Sequence, residues 1–428
     1  MACPRKQLQN NTEPLSGSNN WKFTTFSALR YTGYRYLWLG QLGHSATMWM
    51  EQVVRPLLML ELTGSALQVG LVVSLRMLPQ LVFGLLAGVV ADRYDKRLVL
   101  IFSQALTMLM HVVLAILLLT GQLAIWHVYV TAFIAGVSMA FNQPARQAMV
   151  PQLVPPETLL NALSLNTAAM NIMRVFGASL AGLLLIFFDY GEVFLLNAVI
   201  FIGVIWTTYK IKLVNNLPEQ PTEPHQQATL LSDFIDGFRF ISHNQVLLYL
   251  VALALTLFIF GLPYQQVFIP LLALNVLDIG RSGAGWMLAF SGIGALIGSL
   301  VIASLRQINR RGLILMCLLL ILGASLVLLA QSRWFTLSVL ALIFTGGTVS
   351  AFMALHNSLL LEKSPASYHG RVMSLISLDR GLVSIGAILA GGLAEGLGPQ
   401  LGLTVLAAAC IILTIGVFLL IPVLRKIT

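Results

Sequence analysis

Runs of ~20 apolar residues, long enough to cross a ~30 Å hydrocarbon core as a helix, recur along the whole 428-residue chain and are separated by short polar breaks. They fall at 36–60, 66–91, 98–120, 124–143, 162–187, 192–209, 246–273, 284–304, 312–331, 335–357, 375–397 and 401–423. Twelve such spans use ~240 apolar positions. The 57% apolar share of the chain supplies that number with little left over. Charged residues make up only 10%, against about 25% in soluble globular chains. These features predict an all-α membrane protein with twelve transmembrane helices. Strands of a membrane barrel would alternate over ~10 residues, and the sequence has no such alternation. Three scattered cysteines, Cys3, Cys317 and Cys410, form neither a disulfide framework nor a metal spacing.

Residues 1–33 are polar, and the first apolar run follows them without a small-residue cleavage site. They are expected to form a cytoplasmic tail, with the first span retained as an anchor. If both termini lie inside, cytoplasmic segments hold 19 of the 25 Lys and Arg residues, Arg146 among them. The outer loops hold two, Arg281 and Arg333, and the spans hold four, Arg55, Arg76, Arg174 and Arg380. That asymmetry fixes the orientation in a cell membrane, with a bacterial cytoplasmic membrane expected. It also accounts for the net charge of +9 without nucleic acid, because the basic residues do not gather on a soluble domain.

The longest polar stretch, 210–245, divides the chain. Pro218, Pro221 and Pro224 mark a linker, and apolar residues from Leu230 to Ile241 recur at helical spacing. An amphipathic helix on the inner membrane surface is expected there. The flanking regions, 34–209 and 246–428, resemble each other. GASLAGLLL at 177–185 matches GAILAGGLA at 386–394, an offset of 209. Arg97 matches Arg311 at 214, and Asn142 matches Asn357 at 215. Two six-helix halves in one orientation imply a pseudo-twofold axis along the membrane normal, with a substrate site between them near the midplane.

After the second span comes Gly88-Val-Val-Ala-Asp92-Arg93-Tyr-Asp95-Lys96-Arg97. It resembles the G-x-x-x-D-R/K-x-G-R/K-R/K signature of the major facilitator superfamily. Asp95 stands where that signature has its second glycine. The resemblance implies a cytoplasmic gate in which Gly88 permits close packing, Asp92 meets a helix N-terminus, and Arg93, Lys96 and Arg97 bond carbonyls or lipid phosphates. The segments 34–72, 142–166 and 369–378 further resemble the secretion-effector branch, which includes enterobactin-exporter-like and macrolide-efflux-like proteins. That resemblance implies export of small amphipathic compounds coupled to proton entry. The branch usually carries Gly-Pro after the fifth-helix arginine, whereas this chain reads Arg174-Val-Phe-Gly177-Ala178.

Charged side chains within spans cost ~2.5–3.5 kcal/mol each on insertion scales, so each calls for a reason. Glu51 and Arg76 lie at matching depth, ~14–15 Å from the outer surface at ~1.5 Å per residue, and can pair across the first hairpin. Arg55, at i+4 from Glu51, is the rival partner. Glu51 is the leading proton-carrier candidate, because a low dielectric favours the neutral acid and a nearby guanidinium opposes it. A permanent ion pair between Glu51 and an arginine is the alternative. Arg174, Asp379 and Arg380 are candidates for binding an anionic solute or for holding the interface between halves. His44 and His111 are expected to be packing residues. Gly261, Pro263 and Tyr264 suggest a broken seventh helix, and Gly292, Ala295 and Gly298 a close helix crossing.

An enzyme would show a metal cluster, a nucleophile with its base or a phosphate loop. The sequence contains no HExxH, GxxxxGK[ST] or CxxC, so no metal or cofactor is expected. The longest soluble segments are too short for a nucleotide-binding or sensory domain. The reading that remains is a monomeric secondary transporter that uses an ion gradient. Its partners would be a small amphipathic substrate, protons and the lipid bilayer. Uptake, or movement of a lysolipid, is the alternative on the same fold, and a membrane receptor or enzyme the most distant one.

Overall fold

The computed structural model describes residues 24–211, 239, 244–304, 310–364 and 369–420, without the side chains of 24, 25, 85, 92, 369–380 and 420. The expected amphipathic segment at 230–241 and the linker prolines lie outside the described residues. Among the described residues twelve long helical segments follow one another: α1 Thr32–Thr63, α2 Ala66–Arg93, α3 Lys96–Leu119, α4 Ile125–Met149, α5 Pro156–Phe187, α6 Tyr190–Tyr209, α7 Gln245–Asn275, α8 Gly280–Ser304, α9 Arg311–Gln331, α10 Phe335–Lys363, α11 His369–Leu397 and α12 Pro399–Leu420. Among the described residues there is no strand. Ten of these segments are long and apolar enough to cross a membrane. The other two are α1, which carries Gln41, His44, Glu51, Gln52 and Arg55, and α11, whose described side chains form a shorter apolar helix, Gly381–Leu397.

Local chemistry sets the helix ends. Gly64, at φ 65°, closes α1 in the left-handed conformation that favours glycine, and the Ser65 side chain then accepts the Gln68 N–H to start α2. Asn244 accepts the Val246 and Leu247 N–H groups at the start of α7. Asp95 accepts the Arg97 N–H at 2.8 Å and caps α3. A carboxylate at the position of the family's second glycine therefore starts the next helix.

Two helices run further than the apolar pattern suggests. α4 continues to Met149, so Arg146 is not a loop residue but a helical one, only 2% exposed. This removes one of the nineteen inner charges and leaves the asymmetry standing. α5 begins at Pro156 rather than near 162. In both places polar residues keep helical spacing, and backbone hydrogen bonding does not stop where hydropathy falls.

The first six segments pack on one another, with α2 on α4, α1 on α5 and α6, and α3 on α4 and α6. The last six do likewise, with α8 on α10, and α9 on α10 and α12. Two large pairings join the sets, α2 with α11 and α5 with α8, and α1 adds smaller contacts with α7 and α8. Each large pairing becomes the other when a helix is matched with the one six places on. Both crossings need glycine. A Cβ on Gly70 of α2 would lie 2.4 Å from the Ala387 carbonyl oxygen of α11, and one on Gly285 of α8 would lie 2.5 Å from Gly182 Cα of α5. The Gly292–Gly298 series serves two crossings: Gly292 faces Val175 of α5, and Gly298 faces the Gly347 backbone of α10.

Loops after odd-numbered helices lie at one end of the bundle and loops after even-numbered helices at the other. Trp126 and Trp334 are exposed at the odd-loop end, and Tyr94, Trp206 and Tyr209 at the even-loop end. Between these aromatic levels apolar side chains face outward, as at Phe102 and Leu300, which are 72% and 68% exposed. An apolar belt between aromatic girdles is the surface a bilayer covers.

At the odd-loop end the two sets are bonded together. Arg281 of α8 grips Glu61 of α1 through Nε at 2.7 Å and Nη2 at 2.6 Å, and reaches Asp189 through Nη1 at 3.0 Å. Glu395 of α11 accepts from Ser65 Oγ at 3.0 Å and from the Leu67 N–H at 3.2 Å, at the N-terminus of α2.

Candidate functional site

Glu51 lies in the interior of the first six helices and is 1% exposed. The i,i+4 spacing along α1 puts Arg55 on the same face, and the α1–α2 hairpin brings Arg76 to the same depth. The sequence offered these two arginines as rivals, and the structure brings both to one oxygen. Glu51 Oε1 accepts from Arg55 Nη2 at 2.7 Å and Nε at 2.9 Å, and lies 2.6 Å from Arg76 Nη1. Arg55 Nη1 donates onward to Thr131 Oγ1 at 2.9 Å and to the Val128 carbonyl at 3.2 Å, both on α4. Its guanidinium also sits 5.6 Å from the centre of the Phe194 ring on α6.

The second carboxylate oxygen is differently placed. Its ion-pair neighbour is His111 of α3, with Nε2 at 3.4 Å, and that nitrogen makes no hydrogen bond. Oε1 is thus saturated by charged donors, while Oε2 faces a titratable ring. His111 lies between Phe194 and Phe201, with ring centres 5.8 and 5.6 Å away. It packs between these rings, as expected from sequence, and also lies beside Glu51. A lone histidine in an apolar run gives no spacing signal, and only the fold brings α3 beside Glu51.

The polar interior continues toward the even-loop end. His44 lies edge-on to Phe201 at 5.8 Å, and neither of its ring nitrogens has a partner. The Gln104 and Asn197 amides are buried with all their atoms unpartnered. Below them Asn142 donates to Ser103 Oγ at 2.9 Å, and Arg146 reaches Asn142 Oδ1 and the Leu37 carbonyl, each at 3.4 Å.

The 88–97 segment is less engaged. Among the described residues a Cβ on Gly88 would meet nothing within 4 Å. The Asp92 side chain lies outside those described, Arg93 is exposed, and Lys96 opens α3. Arg97 donates to the Tyr209 carbonyl and stacks on that ring at 5.1 Å, tying α3 to α6 within the first set. Asp379 and Arg380 fall within α11, and their side chains also lie outside those described.

Arg174 sits in α5 beside the seam between the sets. Its guanidinium lies 5.1 Å from the Trp49 ring centre. In α7 the expected break is present: a π turn at Leu257–Gly261 passes into a 3-10 turn at Leu262–Tyr264. There Tyr264 Oη and Ser291 Oγ share a 2.7 Å hydrogen bond. Gln266 Nε2 is 3.5 Å from Gln52 Oε1 across the seam. Among the described residues no group of three or more His, Cys, Asp or Glu could hold a metal ion.

The family described as "Transmembrane secretion effector" matches residues 23–427. The chain is 28% identical over 396 residues to Macrolide efflux protein A of Streptococcus pyogenes, covering 89% of this chain and 91% of that one. It is 26% identical over 381 residues to Multidrug efflux pump Tap of Mycolicibacterium fortuitum, covering 87% and 92%. It is 25% identical over 408 residues to Enterobactin exporter EntS of Shigella flexneri, covering 94% of each. The fold is similar to that of nucleoside transporter NupG, with a TM-score of 0.76 at 11% identity over 91% of this chain and 100% of that one. It is also similar to a POT family transporter bound to 5-aminolevulinic acid, with a TM-score of 0.75 at 12% identity over 92% and 97%.

Proposed function

The chain belongs to the transmembrane secretion effector family, a branch of the major facilitator superfamily, and on that premise we propose that it exports small amphipathic molecules by proton-coupled alternating access. Twelve spans cross the cell membrane, with both termini and the basic even-loop end in the cytoplasm. The two six-helix sets are the moving halves. Bonds at Arg281 and Glu395 seal the outer end, so this conformation has its substrate path closed to the outside. The protein works as a monomer. What supports efflux rather than uptake is that relatives covering most of the chain are named as efflux proteins and exporters.

The observation that carries the coupling is the asymmetry of Glu51. Oε1 is held by Arg55 and Arg76. Oε2 faces His111, where a proton can arrive. Adding that proton removes the negative charge that fixes Arg76. Arg76 is carried by α2, the helix that packs through Gly70 on α11 of the other half. Protonation at Glu51 therefore loosens α2, one of the helices that join the halves.

The reading is tested with purified protein in liposomes under an imposed pH gradient. A panel of macrolides, siderophores and lysolipids is added in turn. Proton flux that depends on one of the first two classes, with export polarity, is expected. Flux with lysolipid alone, or with inward polarity only, assigns the alternative duty on the same fold. No flux with any of them contradicts the proposal.

A further inference from the structure

Among the described residues the first six helices hold four guanidinium groups away from the loops, at Arg55, Arg76, Arg146 and Arg174, against one buried carboxylate, Glu51. Arg55 and Arg76 share that carboxylate. Arg146 has two neutral acceptors at 3.4 Å. Arg174 has none among the described residues: Nε and Nη2 are buried without a hydrogen-bond partner. These two nitrogens carry the parallel N–H bonds on one edge of the guanidinium plane. That edge is the fork which binds a carboxylate with two hydrogen bonds. Trp49, on which the guanidinium stacks, also buries its Nε1–H without an acceptor. One stacked pair thus gathers a full positive charge and three donor nitrogens with nothing to receive them.

Its place in the fold is suited to a solute. Arg174 is 13 residues from the odd-loop end of α5, close to the middle of that helix and ~20 Å deep at ~1.5 Å per residue. It adjoins Gly292 of α8, where a Cβ would come 3.4 Å from Arg174 Cγ, so it stands at the seam between halves. Gln52, which faces Gln266 across that seam, lies one turn along α1 from Trp49. Arg174 as a residue is only partly buried, and its fork edge, closed to solvent in this conformation, lies at the seam along which the halves would part. Buried donors left unmade are costly, and more so when charged. A chain that keeps three of them together at the seam between halves has a donor surplus that an anionic oxygen fills when the seam opens.

We infer that the Arg174–Trp49 pair is an anion subsite for the transported solute, and that this solute is an amphipathic acid whose ionised oxygens meet the guanidinium edge while its apolar body lies against Trp49. The inference rests on the exporter reading and narrows it. A solute whose polar group is a protonated amine meets only like charge and donors here.

The test uses three fluorescent probes with one body: dansylglycine, its methyl ester and N-dansylethylenediamine, titrated against the full-length protein in nanodiscs. Dansylglycine is expected to bind at least tenfold tighter than the ester, and the amine weakest. R174Q should weaken the acid at least tenfold and change the ester less than twofold. R174K, which keeps the charge and loses the fork, should fall between. R174E should reverse the order of acid and amine. If R174Q or R174E fails to fold, the wild-type acid-to-ester ratio together with R174K decides. Equal binding of acid and ester, tighter binding of the amine, no saturable binding of the acid, or an unchanged acid affinity in R174Q or R174K overturns the inference. Loss of the exporter reading would appear separately, as absent proton flux with the acid-to-ester ratio intact.

Discussion

The two six-helix sets share a scaffold and a pattern of glycine crossings, yet their interiors differ in kind. The first buries Glu51, Arg55, Arg76 and Arg146, with His44, His111, Gln104 and Asn197 around them, and leaves many of those polar atoms without partners. The second, among the described residues, buries no Asp, Glu, Lys or Arg. Several of its buried hydroxyls are closed in short pairs, Tyr264 with Ser291, Ser325 with Thr345 and Ser332 with Ser338. A closed pair of neutral hydroxyls fixes two helices and has little left to exchange. An open set of charged and titratable groups has both proton acceptors and alternative partners. The contrast supports the proposal that ion chemistry belongs to the first set, with the second as the body against which it moves.

The contrast is broken most directly by removing Glu51. In E51A, Arg55 and Arg76 face each other in the interior without a counter-charge, and a loss of ~3–5 kcal/mol is expected for breaking such a pair. Thermal unfolding in detergent measures it. An E51A protein no less stable than S325A would show that the two interiors are equivalent. R76Q comes next. It removes one charged bond to Oε1, worth ~1.5–3 kcal/mol, while Arg55 keeps its anchors on Thr131 and Val128. Uphill transport should fall roughly 10–100-fold, with the folded protein retained. T345V sharpens the comparison from the other side. It opens a neutral pair and should cost about 1 kcal/mol, with the pH dependence of transport unchanged.

R281Q has the smallest expected effect on stability. The Arg281 and Glu61 side chains are 35% and 29% exposed, and such pairs contribute at most ~1 kcal/mol. That is enough to move a conformational equilibrium roughly fivefold. Spin labels at the odd-loop ends of α1 and α8 should therefore show a larger share of long distances in R281Q than in the parent.

Much of this architecture is legible in the residues alone. Each apolar run became a helix because in lipid the backbone must satisfy its own hydrogen bonds. The matched depths of Glu51 and Arg76 followed from simple rise per residue. What could not be read depends on side-chain direction or on where a helix stops. Arg146 sits past the last apolar residue of its run, so hydropathy assigns it to a loop, although α4 carries it into the interior. Arg281 looks like a stray charge on the poorer side of the basic asymmetry. Its bonds to Glu61 and Asp189 join segments 220 and 92 residues away. His111 needed the packing of α3 before it could be seen beside Glu51. The family signature told least about its own geometry: Asp95 caps a helix, and Gly88 faces open space in this conformation.

The central claim is that the proton driving transport binds at Glu51. E51Q keeps the shape of the side chain and one oxygen for the arginines, but it cannot cycle a proton. In liposomes, E51Q and wild type should exchange a loaded substrate at comparable rates without a gradient, while only wild type accumulates substrate when a pH gradient is imposed. Accumulation by E51Q at the wild-type level would contradict the account and leave Glu51 as a structural ion pair.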